Sequence, residues 1–228
     1  MNKLTYDDFR KLYLDDLTLP DTTHDNRQKV RRPQHWNTIE TVAKETPLVL
    51  DVHGDRDIWI WGDQHFGHKN IIKYCGRPYP DVDLMTYCLL GNYLNLVKPN
   101  DIVIFNGDIG FMTEAKTNEI LDQMHGYKIH VVGNHDMHRD GKLYNLNVDE
   151  RHLGLVIDVP DHDFDYQMLV THYPMTNVPK GCINIHGHTH QHQLQPHNIN
   201  VCVENTNYAP LNLKVVMERA RKYFGMYV

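Results

Sequence analysis

Histidine is the residue that stands out in this chain. There are 17 among 228 residues, against four cysteines, and imidazole is the side chain that ligates divalent metals or moves protons near neutral pH. Position must separate ligands from solvated histidines. Ile58–Trp61 runs into Gly62-Asp63-Gln64-His65, and Ile102–Phe105 into Asn106-Gly107-Asp108. The run ending at Val132 leads into Gly133-Asn134-His135-Asp136. Met168–Thr171 leads into His172, and Ile183–His186 into Gly187-His188-Thr189-His190. Five apolar runs thus end in Asp, Asn or His, four of them with an adjacent glycine. Sites assemble at the carboxyl ends of strands in α/β sheets, and glycine lets the backbone turn sharply there.

These residue types suit two divalent cations. Asp63 and His65 are two apart, so an extended backbone would point both to one side, and His188 and His190 repeat that spacing. Asp108 has two carboxylate oxygens with which to bridge ions about 3.5–4 Å apart, the spacing of two-metal hydrolytic sites. Asn134 offers a carbonyl oxygen and His172 another imidazole. Nitrogen and oxygen ligands without thiolate fit Mn²⁺, Fe, Zn²⁺ or Ni²⁺.

The elements that must position these residues alternate. Strands are expected at Leu48–Val52, Ile58–Trp61, Ile102–Phe105, Lys128–Val132, Leu155–Val159, Met168–Thr171, Ile183–His186 and Ile199–Val203. Helices are expected near 82–97, 113–125 and 212–224, the last capped by Asn212 with Leu213, Val216, Met217 and Ala220 at helical spacing. Strands alternating with helices predict an α/β fold. Residues 1–47 read as an N-terminal extension and 48–228 as the main domain. In the extension, Thr5 caps a short helix bearing Tyr6, Phe9, Leu12 and Tyr13, and a polar stretch carries the basic run Arg27-Gln28-Lys29-Val30-Arg31-Arg32.

Composition narrows the class. Asp and Glu number 29 against 23 Lys and Arg, a formal charge of −6, so the basic run reads as a solvated loop, with phosphate or nucleic-acid contact as the alternative. No apolar run approaches the ~20 residues of a membrane span, and the start MNKLTYDDFRKLYL lacks the apolar core of a secretory signal. A cytoplasmic protein is the expectation, with Cys75, Cys88, Cys182 and Cys202 too widely spaced for a disulfide framework.

Taken together, Asp63-x-His65, Gly107-Asp108, Gly133-Asn134-His135-Asp136, His172 and Gly187-His188-Thr189-His190 resemble the calcineurin-like metallophosphoesterase superfamily. The resemblance covers about residues 57–210. The stretch His65-Phe66-Gly67-His68-Lys69-Asn70-Ile71-Ile72, with Cys75-Gly76-Arg77-Pro78 after it, is similar to small members common in bacteria and phages. The resemblance implies two mixed β-sheets packed as a sandwich and flanked by α-helices. It also implies two metal ions, manganese favoured: one on Asp63, His65, Asp108 and His190, the other on Asp108, Asn134, His172 and His188. A metal-bridging water or hydroxide would attack phosphorus in line with the leaving oxygen, and His135 would assist the leaving group. The Ser/Thr protein phosphatase branch has G-D-x-x-D-R-G, whereas here Gly107-Asp108 is followed by Ile109-Gly110-Phe111-Met112. That departure argues against a phosphoprotein substrate and leaves the group that orients His135 open, with Asp136 a candidate or a turn residue.

The expected activity is hydrolysis of a phosphate ester, leaning to a phosphodiester or nucleotide-type substrate. A phosphomonoesterase or nuclease on the same site is the alternative, and a metal-stabilised protein-binding scaffold is the non-enzymatic one. His68, Asn70 and Arg77 are candidates to line the substrate pocket, Arg77 as a bidentate phosphate ligand; the alternative is that His68 and Asn70 cap a following helix and Arg77 pairs with a surface carboxylate. His186 is a candidate support for the ligands and His192 a solvated neighbour. Trp59 and Trp61 alternate with Ile58 and Ile60 and read as core.

Overall fold

The computed structural model describes residues 48–161, 164, 166–192 and 197–224. The expected N-terminal helix and the basic run 27–32 lie outside the described residues. Strands β1 (Leu48–Val49), β2 (Ile58–Trp61), β3 (Ile102–Asn106), β4 (Tyr127–Val131), β5 (Glu150–His152), β6 (Gly154–Asp158), β7 (Gln167–Thr171), β8 (Cys182–His186), β9 (Asn198–Asn200) and β10 (Leu211–Asn212) form two sheets. Helices α1 (Lys69–Tyr74), α2 (Val82–Leu96), α3 (Glu114–Leu121) and α4 (Leu213–Phe224) complete the α/β architecture.

One sheet has the order β1-β6-β7-β8-β9 and the other β10-β2-β3-β4-β5. Both are mixed. In the first, only the β6–β7 pair is antiparallel, and in the second only β10–β2. The period-two alternation of strand side chains sorts the core. Ile58, Ile60, Ile104, Ile129 and Val131 from one sheet meet Ile157, Met168, Val170, Ile183 and Ile185 from the other, with Val216, Met217 and Ala220 of α4. Trp61, Val103 and Phe105 face the opposite way, onto Ile71 of α1, Met85, Leu89 and Tyr93 of α2, and Ile120 and Leu121 of α3.

Local chemistry starts α2 and α4 where the sequence placed them. The Asp81 carboxylate accepts from Leu84 N at 2.8 Å ahead of α2, and Asn212 Oδ1 accepts from Lys214 N at 3.0 Å ahead of α4. Strand β2 matches its expected bounds, while β1 stops at Val49 and β9 at Asn200. Trp61 is buried as expected, and Trp59 is half-buried with its indole Nε1 donating to Asp101 Oδ2 at 3.0 Å. All four cysteines are free thiols. Among the described residues no helix is long and apolar enough to cross a membrane.

Candidate metal centre

The ends of β2, β3, β4, β7 and β8 open toward one another, so ligand types from both sheets converge. The extended geometry expected for Asp63-x-His65 and His188-x-His190 is corrected by the backbone. Asp63, His65, Asp108, His188 and His190 all have positive φ, at 59°, 52°, 54°, 66° and 49°. The left-handed region costs L-residues about 1–2 kcal/mol each, so the surroundings must hold them there. Asp63 N donates to Gly107 O and His65 N to Asp108 O, each at 3.0 Å, which locks the turn after β2 against the turn after β3. Gly107 and Gly133 keep that junction tight: a Cβ on Gly107 would strike His172 Nδ1, and one on Gly133 would strike Asp108 Oδ1.

Asp108 stands at the centre. Its Oδ2 is 3.6 Å from His65 Nε2, 3.5 Å from His172 Nε2 and 4.0 Å from His135 Nε2, while Oδ1 accepts from His135 N at 2.8 Å. Two groups flank it. Asp63, His65 and His190 offer ligand atoms within 4.8 Å of one another, and so do Asp108, His172 and His188. Asn134 Oδ1 joins the second at 3.1 Å from His172 Nε2. Every expected metal ligand is therefore in this cluster.

The donor set fits a cation. Asp63 Oδ1 and both ring nitrogens of His65 are buried without a hydrogen-bond partner, which is costly for polar atoms unless something of opposite charge completes them. Outer contacts turn the right ring atoms inward. His172 Nδ1 lies 3.0 Å from Asn106 O, and His190 Nδ1 lies 3.2 Å from Glu204 Oε1. A ring N–H donated outward leaves Nε2 as the ligand atom. Asp63 Oδ2 accepts from His188 N at 2.9 Å and from Cys202 Sγ at 3.1 Å, which leaves Oδ1 for the cluster.

The charges answer to burial and to one another. Burial lowers His65 to about 3 and His188 to about 4, so both are neutral imidazoles. Burial also pushes the Asp63 carboxyl up to about 6, with His172 opposing it. For Asp108, burial works upward but is outweighed by His172 together with His65 and His135, and the carboxyl lies below its ordinary range. His172 is raised to about 10, because the Asp108 carboxylate overcomes the opposing effect of burial. His190 is likewise raised to about 10, with Cys75 and Glu204 overcoming burial. Without a cation, protons on His172 and His190 supply the positive charge that the buried carboxylates need.

No family model matches the chain. Over 177 residues, 73% of this chain and 93% of the other, it is 32% identical to the uncharacterised protein MJ1445 of Methanocaldococcus jannaschii. The chain belongs to the MJ1445 family. Among solved structures, the protein of unknown function AQ665 from Aquifex aeolicus superposes with a TM-score of 0.56 at 23% identity, covering 72% of this chain and 100% of that one. That likeness shows a shared fold.

Several contacts of this MJ1445-family chain revise the sequence reading. Arg77, a candidate for substrate or for a surface carboxylate, turns inward. It is buried, with Nε 2.9 Å and Nη2 2.8 Å from the buried Glu204 Oε1, Nη1 donating to Gln64 O at 2.8 Å and Nη2 to Asp63 O at 2.8 Å. Its fork holds the carbonyls of the very turn that presents Asp63. Asn70 is exposed in the first turn of α1. His68 occupies the N-cap position of α1 without making a side-chain cap, and its ring lies 5.4 Å from that of His65. His186 is buried with Nδ1 2.8 Å from Gly187 O, and His192 is exposed.

Asp136 does not orient the His135 ring. Its carboxylate accepts from Gly133 N at 2.8 Å, Asp108 N at 2.7 Å and Ile109 N at 3.0 Å, and meets His130 Nε2 at 2.9 Å. The residues that the sequence pattern passed over are Glu204 and Cys202. Cys202 lies within the run Ile199–Val203 and Glu204 directly follows it, without the neighbouring glycine that marked four of the five ligand runs.

Proposed function

We propose that this protein is a metal-dependent phosphoesterase that holds two divalent cations, with manganese favoured. The observation that carries the reading is Asp108 Oδ2, one carboxylate oxygen placed 3.6 Å from His65 Nε2 and 3.5 Å from His172 Nε2. Asp63, His65 and His190 would hold one cation and Asn134, His172 and His188 the other, with Asp108 shared. When bound, two such cations would supply an acidified water as nucleophile and neutralise charge building on the phosphoryl oxygens.

The chain's own contribution is placement and one proton. Three ligand-bearing turns are stitched together by backbone bonds and by the Asp136 carboxylate, so the ligands need no reorganisation when substrate arrives. His135 is anchored through its backbone to Asp108 Oδ1, with its side chain 42% exposed at the mouth of the site. From there Nε2 can deliver a proton to the departing oxygen. Arg77 is spent on Glu204 and two backbone carbonyls, so it offers nothing to the additional charge of a monoester dianion. This favours a phosphodiester or nucleotide-type substrate.

The test is hydrolysis of bis-p-nitrophenyl phosphate and p-nitrophenyl phosphate by metal-stripped protein, with Mn²⁺, Ni²⁺, Zn²⁺ and Mg²⁺ added back separately. Metal-dependent turnover with the diester preferred is the expected result. Metal binding with no turnover of either ester would replace the enzyme reading with the scaffold.

A further inference from the structure

The rim of the metal centre carries an aromatic stack that neither ligates nor transfers a proton. Phe111 is 47% exposed, yet its backbone is fixed. Phe66 and Gly110 form a parallel bridge, Phe66 N donates to Ile109 O at 3.0 Å, and Phe111 N donates to Phe66 O at 2.8 Å. Next to this bridge Gly67, at φ +80°, backs onto Met112, whose Cε a Cβ would strike. The two turns are therefore one unit, and the Phe111 ring is presented by it.

Two imidazoles touch that ring, and the residue stays exposed beside them. Phe111 stacks on the His68 imidazole with centroids 3.9 Å apart and planes inclined by 29°. It meets the His135 ring edge-on at 5.2 Å, with planes at 73°. Tyr74, 67% exposed, stands 6.2 Å from the same His68 ring. Aromatic faces cover planar rings well, because every such ring has a π-face and little side-chain freedom is lost on stacking.

We propose that the Phe111–His68 stack is a binding platform for a planar aromatic ring carried by the leaving group, which makes the substrates phosphate esters of nucleosides. The inference rests on the phosphoesterase reading, since contact with His135 places the ring on the leaving-group side of the phosphorus. Phe111 is then a specificity-determining residue that touches the base and leaves the reacting atoms to others. A nucleoside base satisfies the site, whereas an ester of a simple alcohol leaves the platform uncovered.

The test compares the methyl ester of adenosine 5′-monophosphate with the methyl ester of glycerol 3-phosphate, two phosphodiesters of primary alcohols that differ in the pendant base. Calorimetric binding is measured on the Mn²⁺-loaded full chain carrying His135→Ala to slow turnover, alone and combined with Phe111→Ala or Phe111→Tyr. The nucleotide is expected to bind about tenfold or more tighter, with Phe111→Ala erasing the difference and Phe111→Tyr keeping it. Equal affinities, no binding of either ligand, or an equal loss for both in Phe111→Ala would overturn the platform. Turnover of bis-p-nitrophenyl phosphate by the unmutated protein scores the hydrolase reading separately. Turnover without a nucleotide preference sinks the platform alone, and a preference without turnover sinks the hydrolase alone.

Discussion

The Asp136 carboxylate accepts a hydrogen bond from the backbone N–H of Asp108 at 2.7 Å, so a residue in the turn after β4 fixes the central ligand in the turn after β3. The same carboxylate takes the N–H groups of Ile109 and Gly133 and the ring of His130. Removing it strands buried donors. Asp136→Ala should cost roughly 3–5 kcal/mol of stability, the scale of breaking a buried charged pair, and should lower metal content with it. Urea unfolding of the metal-free protein checks this, and a loss near zero would show that the clamp is dispensable.

Asp108→Asn keeps the shape of the side chain and removes the charge shared by the two ligand groups. Both metals should weaken together, and metal content after dialysis should fall below that of the unmutated protein by more than one ion per chain. Loss of a single ion with the other held normally would show that Asp108 serves one site.

Cys202 is a buried thiol whose Sγ lies 3.1 Å from Asp63 Oδ2, and it turns the other carboxylate oxygen toward the cluster. Partners of this kind typically change metal affinity by about 10–100-fold when lost. Cys202→Ala should fall in that range in a metal competition titration, and Cys202→Ser, which keeps a donor, should recover most of it. Equal affinities in the two variants would mean that the thiol only fills space.

Loading should release protons. His172 and His190 are both raised to about 10, so at neutral pH each carries a proton in the metal-free protein that coordination must displace. At pH 7 about two protons should leave as both sites fill, and apparent affinity should rise with pH toward 10. Asp63, raised to about 6, adds to the loss of affinity below that pH. Calorimetry in buffers of different ionisation enthalpy counts the protons; a count of zero would contradict the protonation of both histidines.

Much of this was legible in the sequence because each ligand sits where an apolar run stops. Runs such as Ile102–Phe105 and Ile183–His186 declare buried strands, and the glycine beside the ligand declares the turn. The short elements were not legible. Strand β5 is Glu150-Arg151-His152, half-buried throughout, β10 has two residues, and α1 has six, too few to show a period. The left-handed backbone of Asp63 and His65 was also hidden, since it is imposed by the neighbouring turns. The inward turn of Arg77 was hidden for the same reason: its partner Glu204 lies 127 positions away, and only folding brings them together.

The inward turn of Arg77 makes its own prediction. Arg77→Lys cannot reproduce the fork that holds Glu204 and the carbonyls of Asp63 and Gln64. It should destabilise the protein by roughly 2–4 kcal/mol and leave the KM of the folded fraction nearly unchanged. A large rise in KM with normal stability would return Arg77 to the substrate.

The most direct test takes one Mn²⁺-reconstituted sample and measures both its metal per chain and its turnover of bis-p-nitrophenyl phosphate, beside His135→Ala treated identically. Two metals in each protein, with turnover in the first and a loss of about 10²–10⁴-fold in the second, is the expected result. Two metals with no turnover in the unmutated protein, or equal turnover in both, would contradict a phosphoesterase in which His135 assists the leaving group.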